Sequence, residues 1–300
     1  MDSTTSPLFC GCATALVTPF RGGEVDMETY VSLVRRQLAG GVDALVVCGT
    51  TGESSTLTDR EKARLFAATV REVQACGRHV PVIAGTGSNN TARAVELSRL
   101  AADCGCNGLL VVTPYYNKAS EDGLVCHYEA VAEATPLPLI VYHVPSRTGC
   151  RMSPTVCARL AEHPRVVGLK DATGDLTFTA RVRALCGDRL PVYSGNDDAT
   201  VPVLSLGGQG IISVVSNICP TRITRLCRLW REGDTEEAAR EQLAVLPLCD
   251  ALFSEVNPIP VKYALSHMGL CAAEVRLPLA EADARVRALV ERAMEAVREV

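Results

Sequence analysis

The strongest constraint on the fold is an alternation that repeats along most of the chain. Eight short apolar runs rich in β-branched residues fall at 13–18, 44–48, 80–84, 108–113, 139–142, 166–170, 192–194 and 210–213. They are apolar residue after residue, the pattern of strands covered on both faces. Amphipathic segments at helical spacing lie between them, as at 27–39, 59–75, 91–104, 121–133 and 154–162. Several open with helix-start signals: Thr58-Asp59-Arg60-Glu61, Asn90-Thr91 and Ser153-Pro154. Eight strands in series, with helices between them, imply an α/β protein with a parallel sheet. That sheet is either closed as a (β/α)8 TIM barrel or open and doubly wound. After about residue 220 the strand runs stop, and 221–230, 235–246 and 280–300 read as helices. In the last of these, Val286, Leu289, Val290, Ala293, Ala296 and Val297 form one apolar stripe. The expected organisation is a barrel over residues 1–225 and a small C-terminal helical domain over residues 226–300, packed on it as an appendix.

Bulk properties narrow the partners. The net charge is −4 and no basic block occurs, which argues against nucleic acid. No apolar stretch is long enough to cross a bilayer, and the first residues lack the features of a signal peptide. The expected location is the cytoplasm. There are 14 cysteines, but the closest pairs, Cys10 with Cys12 and Cys104 with Cys106, lack zinc-site spacing, and the five histidines are scattered. Most are expected to be small buried hydrophobes, so we expect no disulfide, metal or cofactor.

In a parallel α/β protein the chemistry belongs at the C-terminal ends of the strands. Only four of the 30 basic residues are lysines, and one, Lys170, ends the run Val166-Val167-Gly168-Leu169-Lys170. A lysine amine partly removed from water can lose its proton and attack a carbonyl, which arginine cannot do. The second run ends in Gly49-Thr50-Thr51-Gly52-Glu53-Ser54, either a cradle for a small anion or an ordinary βα turn. It lacks the lysine of a P-loop, and Gly85-Thr86-Gly87-Ser88-Asn89-Asn90 lacks the third glycine of a dinucleotide fingerprint. The fourth and fifth runs end in Tyr115-Tyr116 and in Tyr142-His143-Val144-Pro145-Ser146-Arg147. Tyrosines there can move protons or simply suit a barrel rim; Arg147 can grip a carboxylate or form a structural ion pair. His143 can act as a base, although a lone histidine is more often structural.

Together these segments resemble the dihydrodipicolinate synthase / N-acetylneuraminate lyase family of pyruvate-dependent class I aldolases. The matching stretches are G-T-T-G-E-S, P-V-I-A-G-T-G, V-T-P-Y-Y-N, V-P-S-R-T-G, G-L-K-D-A-T-G, S-G-N-D-D-A and N-P-I-P-V-K, in the family's order from about residue 10 to 280. The resemblance implies a (β/α)8 barrel with a C-terminal helical domain, assembled as a homotetramer of two tight dimers. It implies that Lys170 forms a Schiff base with pyruvate and that Thr50 and Thr51 hold the pyruvate carboxylate. It further implies that Tyr142 relays protons with Thr51 and with Tyr116, the latter lent by a neighbouring subunit. By the same resemblance Arg147 is expected at the entrance for the aldehyde's carboxylate, and Gly195 and Ile212 are expected to line the pyruvate pocket through backbone groups.

The implied activity condenses pyruvate with L-aspartate 4-semialdehyde to 4-hydroxy-tetrahydrodipicolinate, in lysine and diaminopimelate biosynthesis. The alternative is a related lyase or aldolase acting on another 2-keto acid, of the N-acetylneuraminate or 2-keto-3-deoxy sugar acid kind. Ser146-Arg147-Thr148-Gly149 with Pro114-Tyr115-Tyr116 resembles the synthase branch. The region matching the lysine-inhibition site of some family members carries Lys62 and Arg93, where inhibited members carry histidine and glutamate. Lysine is therefore expected to inhibit weakly.

Overall fold

The computed structural model describes residues 6–298. Eight parallel strands form a closed barrel: β1 (Gly11–Ala15), β2 (Ala44–Val47), β3 (Val82–Gly85), β4 (Gly108–Val112), β5 (Leu139–His143), β6 (Val166–Asp171), β7 (Val192–Ser194) and β8 (Gly210–Ser213). Each strand pairs with its sequence neighbour, and β1 closes the ring. Ala13 stands in register with Ala44 on one side and with Ile212 on the other. This settles the choice between a closed and an open sheet in favour of the barrel.

The uninterrupted apolar runs are explained by two cores on opposite faces of the strands. In β2, Ala44 and Val46 point into the barrel, while Leu45 and Val47 join the core between strands and helices. In β5, Ile140 and Tyr142 point inward, and Leu139 and Val141 pack outward. At the N-terminal end of the barrel, Phe9 stacks on Tyr193 with ring centroids 4.3 Å apart, and the Tyr193 hydroxyl donates to the Phe9 carbonyl at 2.8 Å.

The predicted helix starts are present. Thr58 and Glu61 form a reciprocal capping box, the Thr58 N–H donating to the Glu61 carboxylate at 2.8 Å. Asn90 and Ser153 cap the helices Thr91–Asp103 and Pro154–Leu160. A short hairpin, Phe20–Arg21 with Glu24–Val25, was not expected; two residues per strand leave no periodicity to read.

The C-terminal region departs further from expectation. Helix α1 (Pro220–Glu232) packs on β1, and the expected boundary between residues 225 and 226 falls inside it. We propose that the barrel runs through Glu232. The next helix, α2 (Thr235–Leu252), continues past Pro247, where the sequence suggested a stop. Burial of Leu248, Cys249 and Leu252 beyond the proline offsets the lost backbone bond, a penalty of about 3 kcal/mol. A further helix, α3 (Ile259–His267), opens at Pro258 and Pro260 and was missed because proline there reads as loop. The last helix, α4 (Ala284–Arg298), packs on α2 and α3. No helix among the described residues is long and apolar enough to cross a membrane.

Candidate active site

Lys170 and Tyr142 are register partners on β6 and β5, so both side chains point into the barrel. Lys170 is 6% exposed, and its Nζ lies 4.2 Å from the centre of the Tyr142 ring. The next residue on each strand faces the other way. Asp171 accepts from the Thr179 hydroxyl at 2.6 Å and from the Thr173 N–H at 2.9 Å, which ties it to the outer layer. His143 accepts from the Met152 N–H at 3.1 Å and packs on Phe178. Burial, helped by Arg151, pushes the His143 pKa down to about 4. Its side chain lies outside the barrel, and the structural reading of His143 holds.

Above Lys170 opens a cavity of about 380 Å3 lined by Thr50, Thr51, Tyr142, Arg147, Lys170 and Gly195, among others. The Gly49-to-Ser54 turn reaches it from β2. The N–H groups of Gly52, Glu53 and Ser54 fold back onto carbonyls of the turn at 3.1–3.3 Å. Those of Thr50 and Thr51 donate to no backbone carbonyl and no side chain among the described residues, which leaves two donors for an anion. Two non-glycine residues with positive φ, Cys48 (55°) and Glu53 (54°), flank the turn. The Glu53 carboxylate is clamped by the Lys262 amine at 2.7 Å and the Arg276 N–H at 3.0 Å, which holds this unfavourable backbone in place. Lys262 is fully buried, and burial lowers its pKa. It is thus a second lysine in special surroundings, with an ion-pair partner that Lys170 lacks among the described residues.

The Gly195 position is closed to any side chain. A Cβ there would stand 2.6 Å from the Ala172 Cβ and 3.0 Å from the Asp171 carbonyl. Asp197, two residues on, is buried and accepts from the Val214 N–H at 2.9 Å, which joins the ends of β7 and β8. Burial raises its pKa.

Two expected site residues lie elsewhere. The Ile212 side chain packs in the inner core, and it is Val214, two residues on, that lines the cavity. Tyr116 is 88% exposed, with φ 72°, and is absent from the cavity of its own chain. Its N–H donates to the Thr148 carbonyl at 3.2 Å. Thr51 and Tyr142 both line the cavity, but no hydrogen bond joins them among the described residues.

The Thr51 hydroxyl is instead met by the side-chain amide of Asn257, whose Nδ2 donates to it at 2.9 Å. The Asn257 carbonyl accepts from Arg147 Nη2 at 3.2 Å. Phe253, Glu255, Val256 and Asn257, from the loop between α2 and α3, all line the cavity. The C-terminal region is therefore part of the site. Sequence reasoning assigned these residues no role, although Asn257 opens the stretch N-P-I-P-V-K.

A second cavity, of about 410 Å3, adjoins the first along Thr50, Tyr142 and Arg147. It contains Lys62, Arg93, Ser54, Ser55 and Tyr115. Lys62 is 5% exposed, forms no ion pair among the described residues, and has its pKa lowered by burial. Arg93 pairs with Asp59 and Glu96.

The 14 cysteines are all free, and most are buried. Burial raises the pKa of Cys12, Cys48 and Cys227 among others.

Known proteins share this fold. The 4-hydroxy-tetrahydrodipicolinate synthase of Citrifermentans bemidjiense is 49% identical over 273 residues, covering 91% of this chain and 93% of the relative. The crystal structure of dihydrodipicolinate synthase from Thermotoga maritima superposes with a TM-score of 0.94 at 42% identity, over 98% of this chain and 100% of that one. A Cyanidioschyzon merolae enzyme of the same name, solved with lysine bound, superposes with a TM-score of 0.94 at 40% identity, over 98% and 100%. The model of the dihydrodipicolinate synthetase family matches residues 8–297. With its closed barrel, its buried strand-end lysine and this match, the chain belongs to the dihydrodipicolinate synthetase family.

Proposed function

We propose that this chain condenses pyruvate with L-aspartate 4-semialdehyde to give 4-hydroxy-tetrahydrodipicolinate, in the biosynthesis of diaminopimelate and lysine. The observation that carries the reading is Lys170: a buried amine with no ion-pair partner among the described residues, opening into a cavity shared with Thr50, Thr51, Tyr142 and Arg147.

The neutral amine attacks the pyruvate carbonyl and water leaves, giving an iminium. The pyruvate carboxylate is received by the free N–H groups of Thr50 and Thr51. The iminium draws electrons from the methyl group, a proton leaves, and an enamine forms. Its carbon attacks the aldehyde, whose own carboxylate is gripped by Arg147. The amine carried by the aldehyde substrate then adds to the imine carbon and displaces Lys170, which closes the ring and frees the enzyme. One water is released overall. Tyr142 and Thr51 carry protons between these steps. Tyr116 joins them from a neighbouring copy, which the exposure of its ring and its absence from its own cavity support. The assembly is then a homotetramer of two dimers, working in the cytoplasm, with no cofactor required.

The test is borohydride reduction in the presence of pyruvate, followed by mass spectrometry and peptide mapping. A reduced adduct on Lys170, absent in Lys170→Ala, is the expected outcome; active protein without any adduct would overturn the mechanism. Turnover should be far faster with L-aspartate 4-semialdehyde than with N-acetylmannosamine or a sugar-derived aldehyde. The reverse order would favour the lyase reading.

A further inference from the structure

Asn257 reaches both ends of the cavity with different atoms. Its side-chain Nδ2 donates to the Thr51 hydroxyl at 2.9 Å, and its main-chain carbonyl accepts from Arg147 at 3.2 Å. Asn257 is 5% exposed and Thr51 is 3% exposed, so water does not compete freely for either contact. A hydroxyl has one hydrogen to give. Since Thr51 Oγ1 accepts from the amide, its own hydrogen points elsewhere, and among the described residues it donates to no protein acceptor. The amide's orientation therefore decides whether Thr51 can act as a donor toward the cavity. The Asn257 Oδ1 is buried without a partner. Turning the amide over would bury an NH2 group with two unmet donors in that place, and would also draw the Thr51 hydrogen onto the asparagine.

We propose that Asn257 is a positioning residue. Its side-chain amide holds the Thr51 hydroxyl hydrogen toward the cavity, available for proton traffic with Tyr142 and the pyruvate methyl group, while its main-chain carbonyl independently holds Arg147. The inference rests on the reading of Lys170 as the imine-forming amine. It makes the two halves of the reaction separable: the Asn257 side chain governs the pyruvate half, and its backbone the aldehyde half.

The experiment follows exchange of the pyruvate methyl hydrogens for deuterium by NMR, on the full-length protein without aldehyde, alongside borohydride trapping. At saturating pyruvate, Asn257→Ala and Asn257→Asp should both still trap it on Lys170. Their exchange should slow roughly tenfold, the size of one hydrogen bond. Asn257→Asp is the sharper variant because it keeps the shape. When ionised, its carboxylate can only accept, so it takes the Thr51 hydrogen for itself. Its exchange should recover as falling pH protonates it, while the KM for the aldehyde stays within about twofold of wild type, because the carbonyl to Arg147 remains.

Asn257→Asp exchanging at the wild-type rate with no pH response would show the residue to be a spacer and overturn the proposal. Thr51→Val gives an independent reading with Asn257 intact and should be as slow as Asn257→Asp. Wild-type exchange in Thr51→Val would overturn the proposal even if the Asn257 variants did not fold. Failure of wild-type protein to trap pyruvate at all would strike the Lys170 reading instead.

Discussion

Glu53 and Lys262 are 209 residues apart in sequence, yet their side chains meet at 2.7 Å where water reaches neither. The pair fastens α3 to the turn that presents Thr50 and Thr51. Removing one partner of a buried ion pair leaves a bare charge in a poorly polarisable place, which typically costs about 3–5 kcal/mol. Lys262→Met should therefore lower the urea midpoint sharply, and surviving protein should need more pyruvate to reach half-maximal borohydride trapping. Replacing both partners with apolar residues of similar volume should restore much of the stability but not the pyruvate affinity. A Lys262→Met variant as stable as wild type would show that the pair is not what holds the turn.

Acid should weaken the fold through two buried histidines. Burial lowers the pKa of both His127 and His143 to about 4, and Arg151 adds to the effect at His143. Unfolded histidine titrates near 6.5. Between those values the unfolded chain binds protons that the folded one refuses, so the stability they contribute is complete above about pH 6.5 and drains away as pH falls toward 4. Each histidine accounts for about 3 kcal/mol at the acid end of that window. Glu61, held down to about 2 first by its hydrogen bond to Arg276, adds its own loss only below its unfolded value near 4.5. Urea midpoints measured from pH 7.5 to 4 should fall less steeply for His143→Asn, which can still accept from the Met152 N–H, than for wild type. Parallel curves would assign the acid sensitivity elsewhere.

Lysine should be a weak inhibitor. The cavity beside the proposed active site presents Lys62 and Arg93, and only Arg93 is neutralised, by Asp59 and Glu96. A ligand ammonium entering there meets basic side chains and no carboxylate among the lining residues, so nothing offsets the loss of its water. Initial rates titrated with lysine should stay near the uninhibited value through the micromolar range. Exchanging Arg93 for Glu and Lys62 for His together should shift any inhibition to lower lysine concentration. Strong micromolar inhibition of wild type would contradict this account.

Much of the barrel could be read from the chain because residues such as Ala44, Leu45, Val46 and Val47 serve two cores at once, so each strand appears as an unbroken apolar run. Closure was not legible in the strand pattern alone and was expected only from the family resemblance. It depends on the seam of β1 with β2 and β8, where Ala13 meets Ala44 and Ile212, and such pairings are long-range. That Lys170, Thr50, Thr51, Tyr142, Arg147 and Gly195 line one cavity was legible because strand ends in a parallel barrel share one rim. Asn257 was not. It comes from a loop beyond the last strand, and only packing of the C-terminal helices carries it to Thr51. Pro247 misled for a related reason: local rules penalise proline within a helix, and the apolar contacts of Leu248 and Leu252 that outweigh the penalty are tertiary.

The stacked rings of Phe9 and Tyr193 give the barrel a floor. Both rings are buried and neither lines the cavity, so the barrel is plugged on the side away from its mouth. Lys170 lies buried and Arg147 exposed on the same cavity, so the proposed partner of Lys170 has the deeper seat and a second molecule the outer one. On the proposed chemistry that layout sets an order of arrival, the keto acid first and the aldehyde after it.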